Sequence, residues 1–104
     1  MILNSAVPTT GKSICATAAN SSYAVTAAFF CNTAPGSTEI LNLYLVSKNG
    51  GVGSQSLIIN NLEIKAADTF VLDTEKIILE NGDYLYATSS NGNISATLSV
   101  MDIT

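Results

Sequence analysis

Asp68, Asp73, Glu75, Glu80 and Asp83 fall within sixteen residues, the densest group of reactive side chains in this 104-residue chain. Carboxylates gathered in this way can ligate calcium through oxygen, or act as an acid and base pair on a glycosidic bond. The spacing supports neither use. The D-x-[DN]-x-[DN]-G pattern of a calcium loop is absent, and the acids coincide with turn-forming stretches where a carboxylate is simply hydrated. Tyr44, Tyr84 and Tyr86 form the second group. Tyr84 and Tyr86 share one face of a strand and would suit a sugar-stacking platform. Trp is missing from the chain, however, and Tyr is favoured in strands for packing alone. Packing is the expectation here.

The remaining candidates are weaker. Cys15 and Cys31 make no C-x-x-C pair and read as free thiols, although their places on neighbouring predicted strands leave a disulfide open. Lys48-Asn49-Gly50-Gly51-Val52-Gly53-Ser54 is rich in glycine but lacks the G-x-x-x-x-G-K-[ST] spacing of a phosphate cradle, so it reads as a loop. Asn20-Ser21-Ser22 and Asn93-Ile94-Ser95 match the glycosylation sequon. Met1 to Pro8 lacks a basic region followed by a long apolar one, so no secretory signal and no sequon use are expected.

Whole classes of chemistry are removed by composition. The chain has four Lys, eight acidic residues and no His, and the four Lys leave no Arg. Without imidazole there is no Ser-His-Asp or Cys-His arrangement and no histidine metal ligand. Without guanidinium, and with a net charge of -4, phosphate and nucleic-acid binding are disfavoured. No apolar run approaches the length of a membrane-spanning helix. The expectation is a non-enzymatic protein with no catalytic, cofactor-binding or metal-ligating residues, no nucleic-acid partner and no membrane partner.

The elements that would position any site are strands. Ile14 and Ala16 alternate with Ser13, Cys15 and Thr17; Tyr23, Val25, Ala27 and Phe29 alternate with Ala24, Thr26 and Ala28. Leu41, Leu43 and Leu45 alternate with Asn42, Tyr44 and Val46, an apolar strand on both faces and therefore central. Leu57-Ile58-Ile59 reads as a short buried strand closed by a turn at Asn60-Asn61. Leu62 to Lys65, Phe70 to Leu72 and Lys76 to Leu79 follow. Asn81-Gly82 is a favoured pair for a two-residue hairpin turn, and Asn91-Gly92 repeats it. Ile94, Ala96, Leu98 and Val100 face inward from the last strand. Eight to nine strands without a helix of useful length predict an all-β, single-domain antiparallel β-sandwich over residues 1–104, jelly-roll or Ig-like. Residues 1–8 are expected as an extended arm contacting a neighbour.

The surface is the most informative feature. Only 12% of residues are charged, about half the usual share, and 12 Ser, 11 Thr and 10 Asn take their place. Edge strands of free-standing β proteins are blunted by charge or proline. Lys12, Lys48, Lys65 and Lys76 are too few to guard every edge. Low-charge, small-residue faces suit contact with other protein, which predicts an assembly subunit.

The run Leu43-Tyr44-Leu45-Val46, the glycine-rich loop, Leu62 to Leu72, Ile78 to Ala87 and Ile94 to Ser99 resembles small β-sandwich virion proteins of tailed bacteriophages. Ser22 to Thr26 and Phe29 to Ala34 are compatible with the strand that precedes the first central sheet segment of that group. The likeness is one of strands and turns, and carries over no functional residues. It implies a structural role in a virion assembled in the host cytoplasm, with other virion proteins as partners and self-association within the assembly. Capsid decoration (cement) is the leading role, a neck, tail or baseplate accessory position the alternative. A carbohydrate-binding module at a receptor-binding tip, using Tyr84 and Tyr86, is a further reading.

Overall fold

The alternation at the end of the chain is realised as written. Ile94, Ala96, Leu98 and Val100 are buried, while Ser95, Thr97 and Ser99 between them are half-buried on the other face. The computed structural model describes residues 1–73 and 76–103. Among these lie β1 (Ile2–Val7), β2 (Lys12–Ala16), β3 (Tyr23–Asn32), β4 (Glu39–Val46), β5 (Leu57–Ile64), β6 (Thr69–Leu72), β7 (Ile77–Leu79), β8 (Tyr84–Ser89) and β9 (Ile94–Asp102), with one 3-10 turn at Ser54–Ser56. The first sheet has the order β1-β9-β3-β6, and β7 pairs with β3 further along the edge that β6 occupies. The second sheet has the order β2-β8-β4-β5.

Every pairing is antiparallel, and the partners are nested. β4 pairs with β5, β3 with β6 and β7, β2 with β8, and β1 with β9. The chain is thus one long ribbon, folded at the β4–β5 hairpin and wound across two sheets. That is the jelly-roll solution rather than the Ig-like one. Between the sheets sit Val7, Ile14, Val25, Phe30, Leu41, Leu43, Leu79, Leu85 and the inward residues of β9. Burying each large side chain contributes about 2 kcal/mol. The radius of gyration, 13.2 Å, matches the roughly 13 Å expected for one domain of this length.

Several local expectations are corrected, each for an identifiable reason. Asn81-Gly82 and Asn91-Gly92 do not close hairpins. They are corners that carry the chain from β7 to β8 and from β8 to β9, between sheets. Only the glycines have positive φ, 93° and 80°, and the asparagines do not, so neither turn has the I′ geometry a hairpin prefers. Asn60-Asn61 is no turn either. Leu41 pairs with Leu62 and Leu43 with Ile59, so two asparagines face the single Asn42 in a β-bulge. Asn61 has φ 53°, and its N–H donates to Asn42 Oδ1 at 2.7 Å. Leu57 to Ile64 is therefore one strand, and Ile58 is exposed rather than buried.

Bulges also exchange faces. Thr26 is an extra residue between the Val25–Val100 and Ala27–Ser99 pairs, and its hydroxyl donates to the Ser99 carbonyl at 3.1 Å. Beyond it Ala28 and Phe30 turn inward and Phe29 outward, the reverse of simple alternation. A matching irregularity between Ser13 and Cys15 buries both Ile14 and Cys15 and exposes Ala16. Residues 1–8, expected as an arm, supply β1, which pairs with β9 of the same chain from Ile2–Ser99 to Val7–Ile94.

Candidate functional site

The carboxylates do not converge. Asp68 closes the turn after β5, its N–H donating to the Lys65 carbonyl at 3.0 Å and its Oδ1 accepting from the Thr69 N–H at 2.9 Å. Asp83 lies at the other end of the sandwich, the length of β3 away, roughly 30 Å. There its Oδ1 accepts from the Lys48 N–H and its Oδ2 from the Glu80 N–H, both at 3.0 Å. Asp73 and Glu80 are exposed, and Glu75 lies outside the described residues. No three metal-ligating side chains gather among the described residues.

The tyrosines meet each other. Tyr44 and Tyr86 are cross-strand partners on the outer face of the second sheet, with ring centroids 6.0 Å apart in an edge-to-face arrangement. The Tyr86 hydroxyl donates to the Thr10 carbonyl at 3.0 Å, and its ring lies against Gly11, where any side chain would collide. All three outer tyrosines are half-buried. Cys15 and Cys31 are free thiols on strands of different sheets, not on neighbouring ones. Burial raises the Cys15 thiol above its ordinary pKa. Asn20 sits exposed at φ 60° with its N–H on Asn81 Oδ1. Asn93 spends its side-chain amide on Glu39.

One end of the sandwich holds a polar network. Asn32, Glu39 and Ser89 are buried there. Asn32 Nδ2 donates to the carbonyls of Ser37 and Ile64 at 2.7 and 2.8 Å, while its Oδ1 accepts from the Ala34 N–H at 2.9 Å. Glu39 Oε1 accepts from the N–H groups of Asn91 and Asn93 at 3.0 and 3.3 Å. Burial opposes ionisation of Glu39, but these hydrogen bonds together outweigh it and hold the carboxyl below its usual pKa. Ser89 Oγ donates to the Val7 carbonyl at 2.6 Å and accepts from the Gly92 N–H at 3.0 Å. The network ties two connecting loops to the strand ends, a scaffolding task. Alternation carries its signal: Glu39 continues the inward series of Leu41 and Leu43, and Asn32 that of Ala28 and Phe30.

The outer face of the first sheet is different in kind. Ile2, Asn4 and Ala6 from β1, Ser95, Thr97, Ser99 and Met101 from β9, Ala27, Phe29 and Cys31 from β3, Thr69 and Val71 from β6, and Ile78 from β7 share it. None is charged. Ile2, Phe29, Val71, Ile78 and Met101 are each 40% exposed or more. Thr97 Oγ1 donates to Asn4 Oδ1 at 2.8 Å beside an open depression between β1 and β9.

No family model, no curated protein and no solved structure matches this chain.

The four sheet edges are treated unequally. β2 carries Lys12 and a bulge. β5 carries Glu63 and two register shifts. β6 and β7 are four and three residues long, with Asp73 and Lys76 exposed between them. β1 runs six residues in unbroken register, without charge, proline or bulge. Four lysines are too few for all edges, and β1 is the edge that goes without.

Proposed function

We propose that this chain is a non-enzymatic structural protein of a phage virion, a capsid decoration (cement) subunit that stiffens the shell through broad, low-charge contacts. The observation that carries the reading is the uncharged outer face of the first sheet, with Phe29, Val71 and Ile78 exposed in a chain of net charge -4. Apolar side chains spread over one sheet face, with charges kept to its ends and its β6–β7 edge and to the other sheet, are what an interface core requires. The jelly roll is used by viral shell domains and also by lectins and cupins, so the fold agrees with the reading without carrying it. The resemblance to small virion proteins in strand and turn pattern adds to it. A neck or tail accessory position would use the same face against a different neighbour.

Electron microscopy of intact particles, made with and without the chain, tests this. Decoration requires difference density repeated over the shell lattice. Density only at the neck or tail rejects decoration in favour of the accessory position, and no density anywhere on the particle rejects both.

A further inference from the structure

We propose that two copies of this chain pair β1 against β1, antiparallel, with Asn4 opposite Asn4 of the second copy on a two-fold axis. The hydrogen-bond phase of β1 decides which groups are available. The Met1 carbonyl accepts from the Val100 N–H at 2.8 Å, and the Met1 amine donates to the Val100 carbonyl. Met1 and Val100 are thus a hydrogen-bonded pair, and antiparallel pairs of this kind recur at every second residue. Leu3, Ser5 and Val7 therefore turn their backbone groups towards β9. Ile2, Asn4 and Ala6 turn theirs towards the free edge.

Self-pairing uses all of these groups in one register only. When Asn4 faces Asn4, Ile2 of each copy faces Ala6 of the other, giving three hydrogen-bonded residue pairs and about six backbone hydrogen bonds. A shift by two residues in either direction loses a pair. Side-chain size agrees with this register. Ile2, 62% exposed, meets the small Ala6, and the polar Asn4 lies on the axis between them. No charge is brought opposite a like charge, because the chain has no charged side chain before Lys12. The other edges oppose the same step through bulges, charge or short length, the devices that block edge pairing. The contact is isologous and closes on itself, so it yields a dimer rather than a fibre. It also joins the two uncharged faces into one continuous sheet. The inference deepens the assembly reading and names its first partner, a second copy of this chain.

The test separates the two claims. Sedimentation equilibrium at micromolar concentration is expected to give twice the 10.8 kDa chain mass. Asn4→Pro removes an N–H that makes no bond within the chain, on an edge where proline is tolerated, and is expected to return the mass to that of the monomer with the strand circular-dichroism signal retained. A second series reads the register in a Cys31→Ser background. Hydrogen-bonded antiparallel partners lie about 5.5 Å apart at Cα, within disulfide reach. Asn4→Cys is expected to oxidise to a covalent dimer, while Ile2→Cys and Ala6→Cys alone form no covalent dimer under the same oxidant. A wild-type monomer overturns the pairing and leaves shell binding to its own test. A dimer that survives Asn4→Pro, or one that cross-links equally from all three positions, overturns the edge while leaving self-association intact.

Discussion

The two outer faces of the sandwich are built from similar apolar strands and finish differently. On the second sheet the large residues cover one another: Tyr44 against Tyr86, Tyr86 against the Thr10–Gly11 turn, and Glu63 on the outermost strand. On the first sheet Ile2, Phe29, Val71, Ile78 and Met101 stand apart, exposed and without a charge among them. The second sheet's face is finished within the chain except at its edge strand, where Ile58 stands exposed. The first sheet's face is left open within the chain. This difference is why the proposed interaction surface is placed on the first sheet, since overall hydrophobicity would mark both faces alike.

The largest effect is expected from a charge placed at the centre of the open face. Phe29→Lys is expected to weaken particle binding about a hundredfold, since an uncompensated buried ion costs about 3 kcal/mol or more. Its own unfolding free energy should fall by only about 1 kcal/mol, from lost strand propensity and partial burial. A retitration on stripped particles and a urea melt check the two numbers. Tyr86→Ala on the closed face should reverse the pattern. Lost packing on Tyr44 and a lost hydrogen bond cost about 2 kcal/mol of stability, while the folded fraction binds particles normally.

The cysteines report on the same contrast more gently. Cys31 faces outward on the first sheet and Cys15 inward, so a thiol reagent should modify Cys31 in the folded free chain and reach Cys15 only on unfolding. Assembly should slow the Cys31 reaction by about tenfold, a change of 1.4 kcal/mol in accessibility. Mass spectrometry of alkylated free and assembled protein reads both rates. The smallest effect concerns the scaffold beneath both faces. Because Glu39 has a folded pKa below its ordinary 4.5, its contribution is complete above that value and is lost as pH falls through the folded pKa. Melting temperature should therefore fall below about pH 4.5, with a shallower acid limb in Glu39→Gln. The same acid limb in both proteins would place the sensitivity elsewhere.

How much of this is legible in the sequence depends on how far a feature is local. β9 needs only its own alternation, and its faces are read without error. β3 and β2 each hold one extra residue whose only sign is the register of the partner strand, so Phe29 and Ala16 read as facing the wrong way. Asn81-Gly82 and Asn91-Gly92 look the same in a hairpin and in a corner between sheets, because the choice is made by where the next strand pairs. The low charge of the chain is visible at once. Its concentration on one face and one edge is not, because that face is assembled from β1, β9, β3, β6 and β7, which lie far apart in the chain. The scaffold residues Asn32 and Glu39 were accessible, since each is a polar residue at an inward position of an apolar series.

The most direct test is the structure of this chain within the intact particle. Phe29, Val71 and Ile78 are expected to lie in contact with a neighbouring protein, with Tyr84 and Glu63 towards solvent. A subunit that turns Tyr84 and Glu63 to its neighbour and leaves Phe29, Val71 and Ile78 in water would contradict it.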